Sequence, residues 1–211
     1  MPIIDDKWIF LHIPRTGGNC LLKCLIEHET SHKLPYKLSN RNKKGDIIEE
    51  HLTLDEIEKY ANINLDNYIK FTFVRNPFDK LLSFYLCWVN NRQINRNSNK
   101  MNFDEYIQYV KNIVSNRIYL NYTKRIDKNN NDISHFIPQH EMIGNHKMDF
   151  IGRFENYEND IKKLEKVIGL DLSNIYISKN KVNYRDYYND KNRKIIEELY
   201  AEDFKRFNYQ F

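Results

Sequence analysis

Trp8-Ile-Phe-Leu-His-Ile13 runs directly into Pro14-Arg-Thr-Gly-Gly-Asn-Cys20, and this stretch decides the fold. The first six residues are a short apolar run of the kind that forms a buried strand, ended by Pro14. From Gly18 to about His28 the pattern becomes helical, with Leu21, Leu22, Leu25 and Ile26 on one face. The chain holds only 6 glycines, and two of them, Gly17 and Gly18, sit at this strand-to-helix turn. A turn in that position presents backbone N–H groups along the helix dipole, which favours an anion. Glycine lets the backbone approach a phosphate and adopt positive φ. Arg15 adds a fixed cation, and the Thr16 and Asn19 side chains add donors. A ligand-free turn would need only the glycines; Arg, Thr and a helix start around them point to phosphate.

The spacing is not that of the nucleotide-triphosphatase loop, G-x-x-x-x-G-K-[ST], whose Lys and Ser/Thr serve the γ-phosphate and Mg²⁺. The Lys is missing here, and the second strand ends in Arg75, where such enzymes place a metal-holding Asp. These departures disfavour a magnesium-dependent kinase or ATPase.

Outward from the turn, Tyr68–Val74 (YIKFTFV) predicts the second strand. Asn76-Pro77 then restarts the chain as a helix to about Val89, with Asn at the N-cap and Pro at the first helical position. Arg75 falls at the carboxyl end of the strand, where open α/β sheets bind ligands. Ser83, two turns into the helix, is expected to face the same edge, so Arg75 and Ser83 predict a second phosphate pocket.

Thr53-Leu-Asp-Glu56 reads as a capping box opening a helix to about Tyr60. Phe103, Tyr106, Ile107, Val110 and Val114 mark a longer amphipathic helix. Met148–Phe154 predicts a strand, followed by a helix from about Asn156 that Gly169 closes. Ile175–Ile177 predicts a short strand, and about Asp190 to Phe207 one final helix. Strands separated by helices give an α/β fold, a single P-loop-like domain over residues 1–211 with a mainly parallel central sheet flanked by helices.

Bulk properties agree with such a domain. The 211 residues suffice for a continuous core, and 15 Tyr with 12 Phe argue against disorder despite 29% charged residues. A net charge of +4 suits an anionic ligand but is too small and dispersed to imply nucleic acid. Three cysteines, Cys20, Cys24 and Cys87, give neither a disulfide framework nor metal-finger spacing, and no metal is expected. No signal peptide and no run of ~20 apolar residues is visible, so a soluble, cytoplasmic chain without a membrane span is expected.

Ile13–Cys20 (IPRTGGNC) and Phe73–Ser83 (FVRNPFDKLLS), in that order, resemble the two phosphate motifs of sulfotransferases that use 3′-phosphoadenosine 5′-phosphosulfate (PAPS). The resemblance is to the carbohydrate branch containing the heparan 2-O-sulfotransferases. Asp149–Asn156 and the segments Tyr184–Tyr188 and Glu198–Phe204 look like later parts of the same branch. The resemblance implies that Arg15, Thr16, Gly17, Gly18, Asn19 and Cys20 bind the 5′-phosphosulfate, and that Arg75 and Ser83 bind the 3′-phosphate. It implies metal-free transfer to a hydroxyl, on a carbohydrate, leaving 3′-phosphoadenosine 5′-phosphate. Arg15 stands where many members have Lys, and Cys20 where Ser or Thr is common.

Sulfuryl transfer, like phosphoryl transfer, asks the protein to align the reactants and to stabilise charge on the leaving phosphate, a role for Arg15. The acceptor hydroxyl needs a base, His or carboxylate. Of 7 histidines, His51 matches the general base of the resembling branch, and Glu50 is the alternative because other sulfotransferases use a Glu in that region. His12 is expected to be a core or hydrogen-bonded residue, while His135 and His140 are expected in a solvated loop, with contact to the acceptor as the alternative. The acceptor walls are expected in the 31–46 and 90–100 loops and the 124–140 region, with Ser178–Arg185 closing over the nucleotide. The competing readings are a P-loop small-molecule kinase and a non-enzymatic module binding anionic glycans through residues 33–44, Arg92, Arg96 and Lys100.

Overall fold

The computed structural model describes residues 3–4, 7–28, 51–90, 101–120, 132–177 and 182–211. Glu50, residues 31–46 and 91–100, and residues 121–131 and 178–181 lie outside the described residues. The chain divides into two compact units, Met1–Arg75 with Glu141–Ser178, and Asn76–His140 with Lys179–Phe211.

The first unit is built on a four-stranded sheet of order β1-β2-β3-β4. Strand β1 (Ile3–Ile4) pairs antiparallel with β2 (Trp8–Leu11). Strand β3 (Ile69–Val74) lies parallel to β2 on one side and to β4 (Phe150–Arg153) on the other. The α/β fold with a mainly parallel sheet is therefore as the sequence indicates. All four residues of β2 are buried, the pattern of a strand covered on both faces.

Side chains pin the parallel register. Thr72 Oγ1 donates to the Leu11 carbonyl at 2.7 Å, tying β3 to β2. Asp149, just ahead of β4, accepts from the Lys70 amide at 2.7 Å and donates its own amide to the Lys70 carbonyl at 2.9 Å. Helix α1 (Gly18–His28) follows β2, and α2 (Leu54–Ala61) carries the predicted capping box: Thr53 Oγ1 accepts from the Glu56 amide and Glu56 from the Thr53 amide. The core of this unit joins Trp8, Phe10, Leu21, Phe71, Phe73 and Tyr157.

The second unit is helical. Its α3 (Pro77–Asn90) opens with Asn76 Oδ1 accepting from the Phe78 amide at 3.0 Å, the predicted N-cap. Helix α4 (Phe103–Ser115) buries Tyr106, Ile107, Val110, Ile113 and Val114. The chain passes back to the first unit within α5 (Gln139–Ile143), and α6 (Tyr157–Ile168) there ends at Gly169 as expected.

Two expected elements differ. Ile175–Ile177 is not a strand: the Ile175 amide donates to the Leu172 carbonyl at 3.1 Å, making a turn. Ile175 and Ile177 still pack on the core, so burial is achieved without a ladder. The last helix is two, α7 (Asp190–Leu199) and α8 (Ala201–Phe207), broken at Tyr200. Tyr200 is buried and donates its hydroxyl to the Phe136 carbonyl at 2.8 Å, an anchor that holds it off helical geometry. Among the described residues no helix is long and apolar enough to cross a membrane.

The β4–α6 junction depends on Asp160, whose carboxylate accepts from the Arg153 amide (2.9 Å), Asn156 Nδ2 (3.0 Å) and Lys163 Nζ (2.7 Å). Burial pushes this carboxyl up, but the bonds from Lys163 and the Arg153 amide outweigh it and hold it below the usual carboxylate range. Its stabilisation is full above the unfolded carboxyl pKa, about 4, and is lost as pH falls through the lower folded value. Asp160→Asn is therefore expected to lower the melting temperature at neutral pH and to shrink the stability lost on acidification below about pH 4. Melting curves across pH that superpose on the parent would contradict this.

Candidate active site

The turn between β2 and α1 has an unusual backbone. Arg15 lies at φ 67° and Gly17 at φ 85°, with Thr16 between them on the ordinary side. Residues of alternating hand curl successive N–H groups toward one point, which makes an anion-binding nest. The N–H groups of Gly17, Gly18 and Asn19 have no acceptor among the described residues. The Cys20 amide does have one, the Gly17 carbonyl at 3.3 Å.

The sequence places positive φ on the glycine pair. Gly17 bears it, but the second left-handed residue is Arg15 rather than Gly18, which is already helical. Gly18 answers a different need. A Cβ there would stand 2.2 Å from His12 Cδ2 and 2.5 Å from its Nε2, so only glycine leaves room for that ring. A left-handed non-glycine residue costs roughly 1–2 kcal/mol and persists where its surroundings enforce it.

Three side chains grip the turn from behind. Thr16 is buried and donates its hydroxyl to the Ile13 carbonyl at 2.8 Å, so its side chain braces the turn. Arg75, at the end of β3, is 4% exposed; its Nη1 donates to the Arg15 carbonyl at 2.9 Å, and its guanidinium lies 3.9 Å above the Phe154 ring. Tyr157, the first residue of α6, donates its hydroxyl to the Gly17 carbonyl at 3.0 Å. Burial first, then the Cys20 and Cys24 thiols, push the Tyr157 phenol far up, so it remains a proton donor at any physiological pH.

His51 also comes to this turn. It is buried, its ring centroid 5.0 Å from that of His12, and its Nδ1 donates to the His12 carbonyl at 3.3 Å. In the neutral ring that bond assigns the lone pair to Nε2. His12 is buried as expected, yet it does more than fill the core, since it links Gly18 to His51.

The first unit thus brings together Arg15, Thr16, Gly17, Gly18, Asn19, Cys20, His51 and Arg75. Ser83 is buried on α3, in the second unit. His140 there donates from Nδ1 to Asp203 Oδ1 at 2.7 Å, and the His135 ring stacks on Phe84 at 4.2 Å, so both rings are engaged inside their own unit. Sequence reasoning missed Tyr157 and Phe154. Both fall in or beside the segment Asp149–Asn156, but nothing in their spacing marks them as partners of a turn more than a hundred residues away.

Gly18→Ala is expected to destabilise the protein by about 1–3 kcal/mol, the usual cost of forcing atoms into a packed site. It should also move the His12 and His51 imidazole NMR signals together. A parental melting temperature with unmoved His51 signals would contradict the packing chain from Gly18 through His12.

A family model described as Sulfotransferase family matches residues 4–210, a span that takes in both compact units. A protein of Archaeoglobus fulgidus described as uncharacterized is 35% identical over 107 residues, covering 50% of this chain and 71% of that protein.

Proposed function

The chain belongs to the sulfotransferase family, and we propose that it transfers a sulfuryl group from PAPS to a hydroxyl of a carbohydrate. The observation that carries this reading is the β2–α1 turn, with left-handed residues at Arg15 and Gly17 and no acceptor among the described residues for the N–H groups of Gly17, Gly18 and Asn19. Such a turn at the head of α1 suits the 5′-phosphosulfate, and Arg15 adds a positive charge beside it. By the likeness of Phe73–Ser83 to the second phosphate motif, Arg75 and Ser83 are proposed to bind the 3′-phosphate. The carbohydrate acceptor rests on the likeness of both motifs to that branch.

In the proposed step the acceptor oxygen forms a bond to sulfur as the bond from sulfur to the bridging oxygen of the 5′-phosphate breaks. The electron pair remains on that oxygen, giving 3′-phosphoadenosine 5′-phosphate, and the acceptor proton passes to His51 Nε2. Arg15 and the turn amides meet the charge that grows on the leaving phosphate, where preorganised donors act most strongly. Arg15 stays charged throughout and serves as an electrostatic partner. His51 is favoured over Glu50 as the base because its Nδ1 bond to the His12 carbonyl orients the ring and leaves the lone pair on Nε2.

His51→Ala is expected to cut turnover roughly 10²–10⁴-fold, the usual contribution of a general base. Its affinity for 3′-phosphoadenosine 5′-phosphate should be unchanged. The assay is transfer of labelled sulfate from PAPS onto a panel of glycans, with calorimetry for the nucleotide. Undiminished turnover in the variant would remove His51 from the step. Phosphate transfer from ATP and Mg²⁺, with none from PAPS, would replace the reading with a kinase.

A further inference from the structure

The two left-handed residues of the turn share a feature that the motif itself does not contain: the carbonyl of each is held by a side chain from elsewhere in the same unit. The Arg15 carbonyl accepts from Arg75 Nη1 at 2.9 Å, and the Gly17 carbonyl from Tyr157 Oη at 3.0 Å. No peptide bond here is cis, so each peptide's N–H points opposite its carbonyl. Fixing the Arg15 carbonyl therefore aims the Thr16 N–H, and fixing the Gly17 carbonyl aims the Gly18 N–H. We propose that Tyr157 and Arg75 are positioning residues that hold the nest open and aim these two amides at the 5′-phosphosulfate. This rests on the sulfotransferase reading and gives Arg75 a second duty beyond the 3′-phosphate.

Each pin is braced in turn. The Tyr157 ring packs 4.6 Å from that of Phe73 on β3, and a Cβ on Gly17 would stand 2.8 Å from Tyr157 Cε2. The ring thus fills the space that a side chain at residue 17 would need, and the hydroxyl lands on the carbonyl behind it. Arg75 stands over Phe154, its guanidinium carbon 3.9 Å from the ring centroid, a cation–π contact that helps hold the side chain in place. Phe154 and Tyr157 lie at the β4–α6 junction, so one pin and the brace of the other reach the turn from one place in the chain.

The test separates the two ends of the nucleotide. Tyr157→Phe keeps the ring and removes only the hydroxyl. It is expected to weaken adenosine 5′-phosphate and 3′-phosphoadenosine 5′-phosphate by roughly fivefold to tenfold, the loss of one hydrogen bond's worth of organisation. Affinity for adenosine 3′-phosphate should stay at the parental value, which a general loosening of the fold would not allow. Arg75→Lys should weaken adenosine 5′-phosphate too, although that ligand carries nothing for a 3′-phosphate pocket. Parental affinity of Tyr157→Phe for adenosine 5′-phosphate, or equal losses for the two monophosphates, would overturn the Tyr157 pin. A loss in Arg75→Lys confined to ligands with a 3′-phosphate would overturn the Arg75 pin.

If the parent protein bound no adenosine nucleotide, the PAPS reading would fail, and the pins would be judged in the free protein. There Tyr157→Phe must lower the backbone order parameters of Gly17 and Gly18. Unchanged order would overturn the proposal.

Discussion

Two carbonyls that face into the protein govern what the β2–α1 turn offers outward. A turn with left-handed residues at Arg15 and Gly17 is not one the chain adopts without support. Each carbonyl receives a donor, worth about 1 kcal/mol net, against a left-handed cost of roughly 1–2 kcal/mol at Arg15. These terms are of similar size, so the turn is held by the side chains behind it rather than by its own preference. Its Thr16 and Gly18 amides are consequently preorganised. They need not rotate when an anion arrives, the condition under which dipoles stabilise developing charge most strongly.

The sheet exists, from this viewpoint, to deliver those side chains. Arg75 stands at the end of β3, and its distance from the turn is set by the parallel register with β2 that Thr72 fixes. Phe154 and Tyr157 arrive on the strand's other side, through the register of β3 with β4 that Asp149 fixes. Asp160 then closes the junction by capping the Arg153 amide. A slip of one residue in either pairing would turn alternate side chains to the opposite face and unpin the turn.

What could be read from the sequence was local in origin. The Thr53–Glu56 capping box, the Asn76 cap before Pro77 and the stop at Gly169 each depend on residues a few positions apart, and each is present. The glycine pair marked the place of the turn correctly, and Gly17 takes the positive φ that glycine allows. What escaped depends on tertiary partners. Arg15 takes positive φ because Arg75 holds its carbonyl, and no pattern within Pro14–Cys20 announces that. Gly18 is a glycine for the sake of His12, not for its dihedrals. Tyr200 breaks a helix whose periodicity runs straight through it, because its hydroxyl is engaged by Phe136. Ile175 and Ile177 have the composition of a strand, and they satisfy it by packing alone.

On the proposed reading, the turn Arg15–Cys20 receives the 5′-phosphate side of an adenosine nucleotide. Backbone amide NMR of the labelled chain, titrated with 3′-phosphoadenosine 5′-phosphate, tests it most directly. The expected result is large downfield shifts of the Thr16, Gly17, Gly18 and Asn19 amide protons that saturate together. Saturable binding that leaves these four amides unmoved would contradict it.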